Sequence, residues 1–545
     1  MSGRADPSAE AEFDDLLISG GDVIDGTGAP ARRADVAVRG GRIVAIEPGL
    51  PGPARRVIDA RGRVVAPGFI DIKTHSDLTL PLYPCAESKV HQGVTTEVVG
   101  SCGFTAAPIL PGRLELAQQY LAALAPGLPL RETTFADYMD SFPTTSVNTV
   151  LQVGHNTLRL MVMGLEDRPP TVYELAVMQH LLQDALEAGA LGLSTGLFTP
   201  PGAFAEPDEI AALARVLRHQ GGDYSTHIRD EADGSFKALR EAIFVAEDAG
   251  VHVQVVHLKL AGADNWGGGG RLLAEIQAAR ERGVSIDCDQ YPYTTAMTPL
   301  RAVLPAWAHE GGIERMLQRL ADPKVRADIR AEIGARGLRS WGRVPTWDAV
   351  RISHSPASPE NVGRTIADVA ARRESDPVET LCDLLIADGG ATRVLVAAMN
   401  EADVSTFVAA PWVLVGSDGR AVAPGGPLAL ERPHPSSYGT FPRVLGHYVR
   451  TLGLLTLPQA VYKMTGGAAQ ALGLIDRGLL RAGYAADITV FDPATVSDRA
   501  TYDDPHRYPA GISHVVVNGV VVIDGGRHTG AMPGRVLRRG SAGVA

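Results

Sequence analysis

Residues 235–257 read SFKALREAIFVAEDAGVHVQVVH. A helix-period run near 235–250 meets Gly250, turns into the short apolar strand Val251-His252-Val253-Gln254-Val255-Val256, and stops on a polar residue, His257. Helix, glycine, buried strand and polar terminus make up the unit of a parallel sheet covered by helices. The unit recurs upstream, where 171–189 gives way through Ala188-Gly189-Ala190 to Leu191-Gly192-Leu193-Ser194. It recurs downstream, where 271–282 precedes Val284-Ser285-Ile286-Asp287-Cys288-Asp289. Repetition over about 400 residues favours an α/β fold of the (β/α)8 TIM-barrel type, with a doubly wound sheet as the competitor.

The two ends have a different texture. Residues 14–66 alternate short apolar runs with Gly20-Gly21, Asp25-Gly26 and Gly40-Gly41, and the C-terminal stretch repeats this in Val515-Val516-Val517-Asn518-Gly519-Val520-Val521. Glycine pairs and Asn-Gly between alternating apolar residues are hairpin signals. A small β-sandwich is therefore expected from both chain ends, 12–66 and 479–540, around a barrel at 67–478. A less regular stretch near 300–350, with Trp307, Trp341 and Trp347, reads as an insertion after a strand.

Composition narrows the partners. The 545 residues carry 51 Lys+Arg against 62 Asp+Glu, a net charge of −11, which disfavours nucleic acid or an anionic membrane as the main partner. No apolar run reaches the ~18 residues of a membrane span. The polar, acidic N-terminus lacks the basic start and apolar stretch of a signal peptide. Four scattered cysteines, Cys85, Cys102, Cys288 and Cys382, make no disulfide framework, so a reducing, cytoplasmic setting is expected.

Chemistry-bearing residues sit at strand ends. Phe69-Ile70-Asp71-Ile72 leads to Lys73-Thr74-His75; Thr95-Thr96-Glu97-Val98-Val99 runs into Gly100-Ser101-Cys102; Tyr224-Ser225-Thr226 ends in His227, Val255-Val256 in His257, and Val413-Leu414-Val415 in Gly416-Ser417-Asp418. In a parallel barrel the carboxyl ends of the strands share one mouth, so these side chains meet there. A thiolate and two imidazoles form a three-ligand zinc set that leaves one position for water. A carboxylate such as Asp418 can take the water's proton. Each residue alone is unremarkable, since single strand-end histidines are usually structural; the co-occurrence carries the argument. His91, His180, His252 and His354 lack that context and read as structural, and Cys85, Cys288 and Cys382 as packing residues.

Taken together, these motifs resemble the amidohydrolase superfamily, and within it the D-aminoacylase (N-acyl-D-amino-acid deacylase) family. The likeness includes Gly20-Gly21-Asp22-Val23-Ile24-Asp25-Gly26, Gln92-Gly93-Val94-Thr95-Thr96, Ser194-Thr195-Gly196-Leu197, Asp289-Gln290-Tyr291-Pro292-Tyr293, Gly439-Thr440-Phe441-Pro442-Arg443 and Ala486-Asp487-Ile488-Thr489-Val490-Phe491. It implies a (β/α)8 barrel with a small β-sandwich, zinc held by Cys102, His227 and His257, Asp418 as the catalytic carboxylate, and hydrolysis of the amide of an N-acyl-D-amino acid.

The sequence departs from that pattern at informative positions. The family's first-strand His-x-His reads Lys73-Thr74-His75 here, and an ammonium cannot ligate a cation unless deprotonated or carbamylated. One tightly bound zinc is therefore expected and a second metal position lost, with His75 a residual metal neighbour or an aid to the oxyanion. Lys73 is expected to supply a fixed positive charge beside the metal or to meet a substrate anion. Of the family's substrate-binding positions Tyr291 is kept, a Tyr falls on Thr199, a Ser on Met297 and a carboxylate-binding Arg on Ser436, with Lys259, Lys73 or Arg229 expected to compensate. The expected function is zinc-dependent hydrolysis of a small amide. The alternatives are a relative acting on a dipeptide, imide, carbamoyl compound or biosynthetic intermediate, hydrolytically or not, and a metal-poor ligand-binding homologue. The sequence leaves homo-oligomer formation open.

Overall fold

The computed structural model describes residues 14–50, 53–121, 124, 127–339 and 341–540. Residues 12 and 13, assigned above to the β-sandwich, lie outside the described residues. Eight parallel strands form the barrel: β1 Phe69–Asp71, β2 Val94–Val99, β3 Asn148–Leu151 with its continuation Val153–Gly154, β4 Gly192–Gly196, β5 Asp223–His227, β6 Val253–Val255, β7 Ile286–Gln290 and β8 Val413–Val415. Neighbours pair in order, with Asp71 opposite Glu97, Val99 opposite Leu151, Val153 opposite Leu193, Gly196 opposite His227, Thr226 opposite Val255, Val255 opposite Cys288 and Gln290 opposite Val415. Between β8 and β1 the ring is joined at the mouth: Thr74 bridges Gly419, His75 N–H donates to Gly419 O at 2.9 Å, and Asp418 N–H donates to Lys73 O at 3.1 Å.

The expected helices form for local reasons. Thr171 caps Val172–Glu187 through a capping box with Glu174, and Gly250, at φ 65°, ends Ser235–Ala249 in a left-handed turn. Together with the helix Pro207–Gln220 they bury Leu182, Leu213 and Ile243 against Leu193, Tyr224 and Val253 of the strands, in one core. Cutting one such leucine or isoleucine back to alanine costs about 2–5 kcal/mol.

Both ends contribute to a single nine-stranded sheet, joined where Val64–Pro67 pairs antiparallel with Ile488–Phe491. Val36 and Val516, from distant positions along that sheet, share one apolar core. Val536–Leu537 adds a short parallel strand beside β3, filling the space below the point where β3 turns to pair with β4. Between β7 and β8 the chain builds a separate body. A three-stranded antiparallel sheet (Ala296–Pro299, Val350–His354, Arg393–Val396) packs with helices around its own core, which contains Trp341. Residues 300–350 are the mostly helical first part of that body. Among the described residues no helix is long and apolar enough to cross a membrane.

Candidate metal centre

Cys102, His227 and His257, from the ends of β2, β5 and β6, converge. One donor atom from each lies within 4.8 Å of the others, all three residues are buried, and they are the only such group of His, Cys and acidic residues found among the described residues. Cys102 Sγ is 3.6 Å from His227 Nδ1 and 3.4 Å from His257 Nε2. Six non-glycine residues among those described adopt a positive φ, and three of them are Cys102 (55°), His257 (38°) and Asp418 (51°). Left-handed backbone at non-glycine residues is costly and gathers at working sites.

Neighbouring groups hold each residue. The Cys102 loop lies against the end of β4, where a Cβ on Gly196 would come within 2.1 Å of Cys102 O, so glycine is required. Ser194 Oγ staples that loop, accepting from Gly103 N–H at 3.1 Å and donating to Gly100 O at 2.5 Å. The His227 ring stacks on Phe198, with centroids 3.9 Å apart. His257 N–H donates to Asp289 Oδ1 at 2.9 Å. Behind the Gly416–Gly419 loop, Lys89 Nζ donates to Asp71 (2.9 Å) and Ser417 Oγ (2.8 Å), and Asp71 accepts from Ser417 N–H at 2.8 Å.

A buried carboxylate unmarked in the sequence reading, Glu231, spans both imidazoles. Its Oε2 is 3.3 Å from His227 Nε2 and its Oε1 3.1 Å from His257 Nδ1. Lys259 Nζ donates to Glu231 at 2.8 Å and lies 2.6 Å from His257 Nδ1. Burial, then the Lys259 and Lys73 ammonium groups, hold His257 well below the usual imidazole range; burial also lowers His227 despite Glu231. Burial pushes the Cys102 thiol up to about 12. Two neutral imidazoles and a buried thiol are the chemistry of a site shaped for a thiophilic cation.

Lys73 is fully buried; its Nζ forms an ion pair with Asp418 Oδ1 and donates to His75 Nε2 at 3.1 Å. Burial opposes the charge, but Asp418, then Cys102, outweigh it and raise the Lys73 pKa. Burial likewise pushes the Asp418 carboxyl up, yet the Lys73 ammonium prevails and holds it well below the usual carboxylate range. His75, lowered to about 4 by burial and by Lys73, is neutral.

A sequence profile described as the amidohydrolase family matches residues 56–523. The chain belongs to the amidohydrolase family. An N-acyl-D-aspartate deacylase of Alcaligenes xylosoxydans xylosoxydans is 40% identical over 541 residues, covering 98% of this chain and 97% of its own. The structure of an N-acyl-D-glutamate deacylase from Bordetella bronchiseptica, complexed with zinc and a phosphonate that mimics the tetrahedral intermediate, superposes with a TM-score of 0.82 at 39% identity, covering 97% of this chain and all of that one. A D-aminoacylase structure with a binuclear metal centre, described as activated by one metal and attenuated by the second, gives a TM-score of 0.80 at 38% identity over 96% of this chain and all of that one.

Within this amidohydrolase the expected site residues are not all in one place. Cys102, His227, His257, His75, Lys259, Met297 and Asp418 line a single cavity at the barrel mouth. His75 stands apart from the donor cluster, engaged by Lys73 and Asp418 instead. Thr199 lines an adjoining apolar cavity with Tyr120 and Ile313. Tyr291 and Ser436 line neither cavity; both hydroxyls are buried without a partner, and the Tyr291 ring lies beneath Lys259 Nζ at 5.5 Å. The Arg229 guanidinium lines neither cavity; it bonds Glu241 twice (3.0 and 2.7 Å) and the carbonyls of Ala203 and Ala205.

Proposed function

We propose that this amidohydrolase holds one zinc ion on Cys102, His227 and His257 and hydrolyses the amide bond of an N-acyl-D-amino acid. The observation that carries the reading is the buried convergence of one sulfur and two nitrogens in the cavity that also presents Asp418. Such a set leaves the fourth position of a tetrahedral zinc open, as catalytic rather than structural sites do. Zinc bound there supplies a Lewis acid that acidifies water and polarises a carbonyl. The D-amino-acid substrate class rests on the relatives at 38–40% identity over nearly the whole chain.

The chain's own groups do the rest. Glu231 lies beside the far nitrogens of both imidazoles, on the side away from His227 Nδ1 and His257 Nε2, the two nitrogens that face Cys102 Sγ. Asp418 takes the proton of the attacking water and returns it to the amide nitrogen as the C–N bond breaks, giving a carboxylic acid and the free amino acid. Lys73 favours the ionised form of Asp418. Its ammonium also stands between His75 Nε2 and Asp418 Oδ1 as a built-in cation, taking the place of a second metal. On this reading the protein does not share the second-metal attenuation described for the D-aminoacylase. The four cysteines are free, three of them buried, which supports a reducing, cytoplasmic setting.

Metal analysis of the purified chain is expected to give one zinc, and a panel of N-acyl amino acids to give cleavage of D-isomers over L-isomers. Asp418→Asn is expected to keep the zinc while kcat falls by about 10²–10⁴. Undiminished turnover in that variant rules out the proton shuttle, and no cleavage of any N-acyl-D-amino acid rules out the substrate.

A further inference from the structure

The cavity at the metal centre is lined by two further guanidinium groups, Arg393 and Arg420. Arg393 opens the strand Arg393–Val396, opposite Pro299 and His354. Arg420 follows Asp418 by two residues. Both pair with one carboxylate: Arg393 Nη2 forms an ion pair with Glu431 Oε1, and Arg420 Nη2 donates to Glu431 Oε2 at 2.9 Å. Arg420 Nη1 donates to Leu124 O at 3.0 Å, which fixes its orientation. All three side chains are nearly inaccessible, at 3–4% exposure.

The charge count differs from that beside the metal centre. Lys73 faces Asp418 and Lys259 faces Glu231, one cation to one carboxylate. Here two cations share a single carboxylate. The nearby His354, 3.7 Å from Glu431, is lowered by burial and by Arg393, so it adds no charge. The Nε atoms of Arg393 and Arg420 are buried without an acceptor. An uncompensated buried charge with orphaned donors is expensive unless an anion completes it. A guanidinium fork matches a carboxylate in shape as well as charge. Meanwhile Arg229, outside this cavity's lining, is committed to Glu241.

We propose that Arg393 and Arg420, oriented by Glu431, form the clamp for the substrate's α-carboxylate, built from the inserted sheet and the Asp418 loop. The proposal rests on the deacylase reading for its substrate, yet it makes a claim about binding that stands apart from turnover. Arg393 supplies the unmatched charge, while Arg420 and Glu431 form the balanced pair that positions it.

The test uses the zinc-loaded full-length chain with N-acetyl-D-leucine and its carboxamide for turnover, and with D-leucine and D-leucinamide for calorimetric binding. Arg393→Met leaves Arg420 and Glu431 as a one-to-one pair. It is expected to raise KM for the acid and weaken D-leucine binding by about 10–100-fold, with both carboxamides unaffected. Glu431→Gln frees both guanidinium groups and is expected to shift D-leucine binding the other way. Arg393→Lys keeps the charge without the fork and is expected to fall between wild type and Arg393→Met. An Arg393→Met protein that keeps its preference for the acid over the carboxamide, with D-leucine binding unchanged, overturns the clamp while leaving the deacylase reading intact. Loss of D-leucine binding in Arg393→Met, in a protein that cleaves neither substrate, upholds the clamp and overturns the deacylase reading instead.

Discussion

Two histidines five residues apart lie at opposite ends of β6, one charged and the other neutral. His252, at the barrel floor, lies 3.5 Å from Asp223 and 3.4 Å from Asp287, and these carboxylates, working against burial, raise it to about 9. His257, at the mouth, also has a carboxylate neighbour, but burial, then Lys259 and Lys73, stand against it and hold it neutral. A carboxylate beside an imidazole therefore does not by itself predict a cation; burial and the surrounding ammonium groups weigh against it. At the floor the histidine serves as a charge that ties strands together. At the mouth the protein surrounds it with positive charge, so that its lone pair stays available.

Breaking the mouth side of this contrast is expected to have the largest effect. His257→Ala removes one of three donors from a site whose binding energy is of order 10 kcal/mol, so zinc affinity falls by about 10²–10³, measured by chelator competition. Full zinc retention in that variant would remove His257 from the site. Next comes Glu231→Gln, which leaves both rings without their carboxylate; a loss of about 10–100-fold in metal affinity is expected. Metal affinity equal to wild type would reduce Glu231 to a mere partner of Lys259. Lys73→Met sharpens the contrast through protons. Without the ammonium the Asp418 pKa rises, so the acid limb of kcat/KM moves to higher pH, and activity is lost first at the acid end. An acid limb that stays in place separates Lys73 from Asp418.

The smallest effect belongs to the floor. The folded pKa of His252, about 9, lies above its unfolded value of about 6.5, so its ion pairs stabilise fully below pH 6.5 and are lost as pH rises through 9. His252→Asn is expected to cost about 1 kcal/mol at pH 6 and almost nothing at pH 10, with activity intact. Thermal unfolding across that range checks it, and a deficit that grows with pH contradicts the assignment.

The contrast also shows what a sequence exposes. Strand ends are legible because a buried parallel strand must stop where polar chemistry begins, which singles out Cys102, His227, His257 and Asp418. The hairpins at both chain ends are equally plain, since Gly40-Gly41 and Asn518-Gly519 are turn chemistry; Asn518 does adopt a positive φ. Glu231 is hidden because it sits in Arg229-Asp230-Glu231-Ala232-Asp233, which reads as a solvated charge run. Its position four residues after His227 was the one available signal. Arg229 shows the converse, a cation offered as a substrate contact that tertiary packing pairs with Glu241. Arg393, Arg420 and Glu431 come from three separate segments and acquire meaning only when the inserted sheet folds over the mouth.

The pairing of Val64–Pro67 with Ile488–Phe491 has a consequence for biosynthesis. At ribosomal speeds of about 5–20 residues per second, the first strands wait on the order of a minute for the segment that covers their edge. Until then an apolar ribbon is open to any neighbouring nascent chain, so crowded overexpression favours aggregates seeded by this N-terminal portion, and a lower density of nascent chains improves the yield of soluble enzyme.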